Sequence, residues 1–178
     1  INWFGLETTK LDLHGLWISG SSRDEYMRRI RDLGFNAVRV PVAPESIAPA
    51  RHHSGNSNLE LALQAAQDND LLILLDFHGF RTFDHTRPND KFGRPFLDSA
   101  GYRKRDWHHD LRTLAGLGHT YHRIMGIDLC NEPYELEWSE WSALASEAAD
   151  HVLRENPNVL IFVQGVAGGE TFYGENLI

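Results

Sequence analysis

Asn131, Glu132 and Pro133 stand together at the end of the mostly apolar run "IDLC", 127–130. Proline has no N–H for a sheet ladder and pushes its predecessor out of the helical region. The sequence therefore predicts Glu132 held extended at a strand end, where a long carboxylate reaches across a cleft. Partial burial among aromatic side chains raises a carboxyl pKa, which suits a general acid. Asn131 beside it can donate to a substrate hydroxyl. The plainer reading of the same residues is a strand cap followed by a turn.

Two more residues have types and positions fit for chemistry. Arg39 lies inside the run "AVRVPV", 37–42. A permanent charge within a strand must be paired or solvated in a cavity, and one use is to hold a carboxylate in place. The alternative is a structural ion pair in a core. His78 ends "LLILLDFHG", 71–79, beside Gly79. It can donate to a sugar hydroxyl or to the acid, or be a satisfied interior histidine. Glycoside hydrolysis needs a second carboxyl group as nucleophile or base. Asp76 and Asp128 share strand parity with His78 and Glu132 but lie deeper, so they read as structural hydrogen-bonding groups. Glu170 and Glu175 sit in a terminal loop and are weaker candidates.

The ten histidines raise a metal reading. His108–His109 are adjacent and His119 and His122 three apart, but no HExxH and no matching acidic ligand is present. Solvated helix and loop histidines are the expectation, with no metal and no cofactor. Cys130 is the only cysteine, so no internal disulfide forms, and its apolar setting argues for packing over a catalytic thiol.

The elements that position these residues alternate between strand-like and helical patterns. Apolar runs at 1–5, 36–42, 71–79, 124–133 and 158–165 predict strands. Between them, Ser22 and Glu25 have capping-box spacing for a helix to about Leu33, with Gly34 as its C-terminal cap. Further helices are predicted over 58–68, 102–117 and 138–155 from apolar residues on one face. Strand–helix alternation marks βαβ units and a parallel sheet, with strands expected to be apolar on both faces. A dinucleotide fold lacks its glycine-rich first turn, and "GVAGGE", 165–170, lacks the Lys-Ser/Thr of a phosphate loop. Polar residues His78, Asn131, Glu132 and Gln164 gather at strand C-terminal ends, which is the rim where a (β/α)8 barrel keeps its chemistry. The chain reads as α/β: one domain, 1–178, supplying about five of the barrel's βα units.

The net charge of −8 argues against a nucleic-acid surface, and no apolar run approaches a membrane span. Five Trp, five Tyr and nine Phe are enough to supply flat apolar faces to a sugar-binding cleft as well as to a core.

The pieces "INWFGLET", "HGLW", "LGFNAVRVPV", "LLILLDFHG", "GIDLCNEP", "NPNVLIFVQGV" and "GENL" occur in one order. In that order they resemble glycoside hydrolase family five, in particular the bacterial endoglucanase branch. The resemblance implies a (β/α)8 barrel that hydrolyses β-1,4-glucans with retention. It implies Glu132 as general acid/base and Asn131 as the partner of the sugar 2-hydroxyl. It implies Arg39 and His78 as residues that support the catalytic carboxylates and bind substrate. Trp3, the aromatics of 77–96, Phe172 and Tyr173 are candidate sugar-subsite residues.

The family pattern has three further strands, and the nucleophilic glutamate belongs to the seventh. The nucleophile is therefore expected outside these 178 residues, with a second chain or copy completing the barrel. "DFHGF" and "TFYGENL" depart from the pattern of close relatives, which bears on substrate preference. Secretion is implied by resemblance alone. The alternatives are an inactive barrel fragment or sugar-binding remnant, and a β-mannanase or glycolipid glycosidase.

Overall fold

The computed structural model describes residues 1–52, 55–84, 102–134 and 136–166. Phe172 and Tyr173 lie outside the described residues. The described part contains helices α1 (Leu16–Ser19) and α2 (Arg23–Asp32), strand β1 (Ala37–Val42), and helices α3 (Pro44–Ala50) and α4 (Asn58–Asp68). Strand β2 (Leu72–Phe77), helix α5 (Lys104–Leu117), strand β3 (Ile124–Asp128), helix α6 (Trp138–Glu155) and strand β4 (Leu160–Phe162) follow.

Local chemistry explains the boundaries. Ser22 and Glu25 form the expected reciprocal cap of α2, and Gly34 closes it at φ 90°, donating to the Arg31 carbonyl. Ser57 and Glu60 cap α4 in the same way. Helix α3 escapes the periodicity search because it is short and contains two prolines, one at its first turn and Pro49 within it.

All strand pairs are parallel, and the sheet order is β1-β2-β3-β4. Spatial order that follows chain order, with no reversal point, is the winding of a closed barrel rather than of a doubly wound sheet. The expected first strand shrinks to one parallel bridge between Asn2 and Arg39. The chain turns away immediately afterwards: Gly5 has φ 134°, and its N–H donates to the Glu7 carboxylate at 2.6 Å. A β-carbon on Gly5 would meet the Asp12 carbonyl at 2.2 Å, so only glycine fits this close approach.

The two sheet faces differ, contrary to the expectation of strands apolar on both. Val38, Val40, Val42, Ile73, Leu75, Phe77 and Ile127 are 1% exposed or less and join Met27, Leu63, Trp107, Leu111, Trp141 and Ala148 of the helices in one core. The opposite face carries Arg39, Asp76 and Asp128, set by the registers Pro41↔Asp76 and Asp76↔Asp128. This follows from the two-residue period of a strand: one face packs on helices and the other lines the barrel interior. Gly126 leaves room on that inner face for the Phe162 ring, which a β-carbon would meet at 2.6 Å.

Candidate active site

Parallel strands align their C-terminal ends, so inner-face side chains of β1, β2 and β3 meet residues that lie just beyond β2, β3 and β4. Arg39 of β1 sits at the centre. One guanidinium nitrogen lies 2.9 Å from the Asp76 carboxylate, 3.4 Å from Asp128 and 2.8 Å from the Asn131 amide oxygen. Its other nitrogen donates to Asn2 Oδ1 at 3.1 Å. His78 Nδ1 meets the same Asp76 oxygen at 2.5 Å. Gln164, just beyond β4, donates Nε2 to Asp128 and accepts the Glu132 backbone N–H at 3.0 Å. The path His78–Asp76–Arg39–Asp128–Gln164–Glu132 is therefore continuous, with Asn131 branching from Arg39.

The charge balance of this network is uneven. Asp76 and Asp128 face each other across the ladder with one guanidinium between them. Burial, together with the neighbouring Asp76 charge, pushes the Asp128 carboxyl up to about 6, against the opposing pull of Gln164 and Arg39. One oxygen of each carboxylate is buried without a hydrogen-bond partner, which adds to the desolvation. Both aspartates thus have the structural role read for them in the sequence: they fix Arg39, His78 and Gln164.

Arg39, His78 and Asn131 meet as the sequence suggests, and the backbone of Glu132 is tied to them. Its conformation differs from expectation. Glu132 has φ 43°, in the left-handed region rather than the extended one, and its side chain is exposed rather than buried among aromatics. The local bias that proline imposes is overridden by two tertiary bonds: the Asn131 N–H on the Phe77 carbonyl at 2.9 Å, and the Glu132 N–H on Gln164.

The structure places Trp3, a candidate sugar-subsite residue, in packing contacts away from the Arg39 network. Asn2 points at Arg39, so Trp3, one position on, faces the other way. Trp3 is 9% exposed, packs 4.9 Å from the Tyr26 ring, and donates its indole N–H to the His14 carbonyl. Phe77 and Phe80, at the start of the 77–96 segment, are likewise core residues, packed with Tyr102 and Trp107. His108, expected to be solvated, is buried on α5. Two participants were missed. Asn2 joins the network through a single bridge that has no sequence signature. Glu7 is buried and electrostatically coupled to His78 and Asp76, and burial raises its pKa. No motif marks Glu7.

A singly wound parallel sheet with a charged network at its C-terminal rim defines part of a (β/α)8 barrel with a rim-borne site. The chain belongs to the cellulase family, glycosyl hydrolase family 5, whose model matches residues 1–177. It is 29% identical to the major extracellular endoglucanase of Xanthomonas campestris pv. campestris, over 99% of this chain and 40% of that protein. It is 24% identical to endoglucanase C of Cellvibrio japonicus, over 93% of this chain and 31% of that one. A hyperthermophilic endocellulase from Pyrococcus horikoshii superposes with TM-score 0.75 at 24% identity, over 93% of this chain and 50% of that one, a likeness of fold. The chain thus spans less than half the length of these curated relatives.

Proposed function

We propose that this chain is the portion of a retaining β-1,4-glucan hydrolase that carries the acid/base, with Glu132 in that role. The observation that supports the reading most directly is the 2.8 Å hydrogen bond from the Arg39 guanidinium to Asn131, the residue adjoining an exposed glutamate at the strand-end rim. With a sugar in the cleft, Glu132 protonates the glycosidic oxygen as the bond breaks, then deprotonates the water that releases the glycosyl-enzyme intermediate. The Arg39 guanidinium holds the Asn131 amide oxygen, which leaves the amide N–H groups to donate to a substrate hydroxyl. His78 is oriented by Asp76 at the same network and serves in substrate binding.

Asp76 and Asp128 are buried and held by Arg39, His78 and Gln164, so neither serves as nucleophile. The proposal takes the nucleophilic carboxylate from outside these 178 residues, on further chain or on a second chain or copy that completes the barrel. Leu160 on β4, 60% exposed, and Val163 beyond it, 38% exposed, offer apolar surface for such a completion. Secretion is part of the same proposal, supported by the relative that is itself called extracellular.

The test is Glu132→Gln in the complete protein, assayed on cellooligosaccharides with Tm recorded alongside. The expected result is loss of hydrolysis with Tm unchanged; full turnover in the variant would overturn the assignment. A complete protein that binds cellooligosaccharides without hydrolysing them would favour the sugar-binding remnant. Preference for mannan or glycolipid in the same assay would redirect the substrate class.

A further inference from the structure

We infer that His108 of α5 and Glu147 and His151 of α6 form a binding site for a Zn²⁺ ion that clasps the two outer helices together. One ligand atom from each residue lies within 4.8 Å of the others. Glu147 and His151 are four positions apart on one helix, which places them on one face, one above the other. His108 comes across from the neighbouring helix: its ring stacks on His151 at 4.3 Å, and its Nδ1 is 4.0 Å from the Glu147 carboxylate.

Two further observations favour a ligand here over a solvated histidine pair. His108 is 7% exposed, and its Nε2 is buried with no hydrogen-bond partner, which is costly for a ring nitrogen. Trp107 and Trp141, ring centres 6.2 Å apart, pack the same two helices together, so the helix pair is already positioned and metal binding need only move side chains.

Two imidazoles and a carboxylate, with no thiolate, suit zinc in a site with three protein ligands and one water. Ligand atoms around tetrahedral zinc are about 3.4 Å apart. The present spacing must therefore contract by up to about 1.4 Å, through rotation of the partly exposed His151 ring out of the stack. Lys104 Nζ now holds the other Glu147 oxygen at 2.7 Å, and a divalent cation competes with that single charge. The site lies on the helix layer and is separate from the Arg39 network.

Isothermal titration of the metal-free protein with Zn²⁺, paired with Tm, tests this. The expected result is one tight equivalent per chain and a Tm several degrees higher at about a hundredfold excess over Kd. His151→Ala and Glu147→Gln change partly or fully exposed side chains and leave the buried ring in place. Each should weaken binding by about 100-fold or more, since loss of even an outer partner costs 10–100-fold. Each should also remove the Zn²⁺-dependent rise in Tm while the metal-free Tm holds. A double His119→Ala, His122→Ala variant should bind as before. With Co²⁺, the intense visible bands of four-coordinate cobalt should appear in the wild type and vanish in His151→Ala. No uptake, or uptake unchanged in His151→Ala and Glu147→Gln, or uptake lost only in the His119/His122 variant, overturns the site.

Discussion

The backbone N–H of Glu132 donates to the side-chain oxygen of Gln164 at 3.0 Å, across 32 positions of sequence. The same amide of Gln164 donates to Asp128. One side chain thus couples the position of the proposed acid to the charged network beneath it. Gln164→Ala removes both bonds and leaves Glu132 without its tether. The expected outcome is a fall in kcat of about 10- to 100-fold in the complete protein, the scale of a misplaced catalytic group, with KM much less affected. Steady-state kinetics on cellooligosaccharides checks it; an unchanged kcat removes Gln164 from the positioning role.

Glu132 is a non-glycine residue at φ 43°, and its exposed side chain forfeits little if removed. A β-carbon in the left-handed region costs about 1 kcal/mol. Glu132→Gly should therefore raise the urea midpoint by a corresponding amount while abolishing hydrolysis. A lower midpoint would mean that the backbone bonds leave no strain at this residue.

Arg39 is the cation between Asp76 and Asp128, 25% exposed where Asp76 is fully buried. Arg39→Met leaves two facing carboxylates with no neutralising charge. Destabilisation of about 2–4 kcal/mol is expected, below the full value for a deeply buried pair because Arg39 is partly solvated. Adding Asp128→Asn should recover part of the loss. Chemical denaturation of the single and double variants measures the coupling, and strict additivity would show that Arg39 stabilises by packing alone.

Asp128 has a folded pKa of about 6, above its value of 3.8 in an unfolded chain. The folded state therefore binds the proton more tightly, and ionising Asp128 costs stability. That cost is absent below about pH 4, grows as pH rises toward 6, and is fully present above 7, where it is on the order of 3 kcal/mol. Asp128→Asn removes it while keeping an acceptor for Gln164. The variant should gain stability over wild type at pH 8 and little at pH 4, measured as the difference between two Tm–pH profiles. A difference that does not change with pH would show that Asp128 does not titrate in this range.

Much of the fold was legible because its signals are local. The Ser22–Glu25 cap and the apolar face of 138–155 each depend on residues within a few turns, and the helices form where those patterns stand. The candidate site was legible in part for a related reason. Arg39, His78 and Asn131 interrupt or end apolar strands, and a charge in such a place needs a partner. The facing of Trp3 was not legible, because aromatic content does not say which face of the chain a ring takes. The one bridge at Asn2 that decides its facing involves a residue 37 positions away. His108 was misread because its burial comes from α6, whose His151 is far off in sequence.

By itself, the sequence determined the succession of strands and helices and the residue types that each strand carries to its end, because periodicity, caps and proline act over short distances. Only the tertiary structure decided that Asp76 and Asp128 share one guanidinium, that Gln164 holds Glu132 in a left-handed turn, and that two histidines and a glutamate face each other across two helices. Those relations depend on strand register and helix packing, where residues 30 to 90 positions apart become neighbours and long-range contacts outweigh the local preferences that a sequence displays.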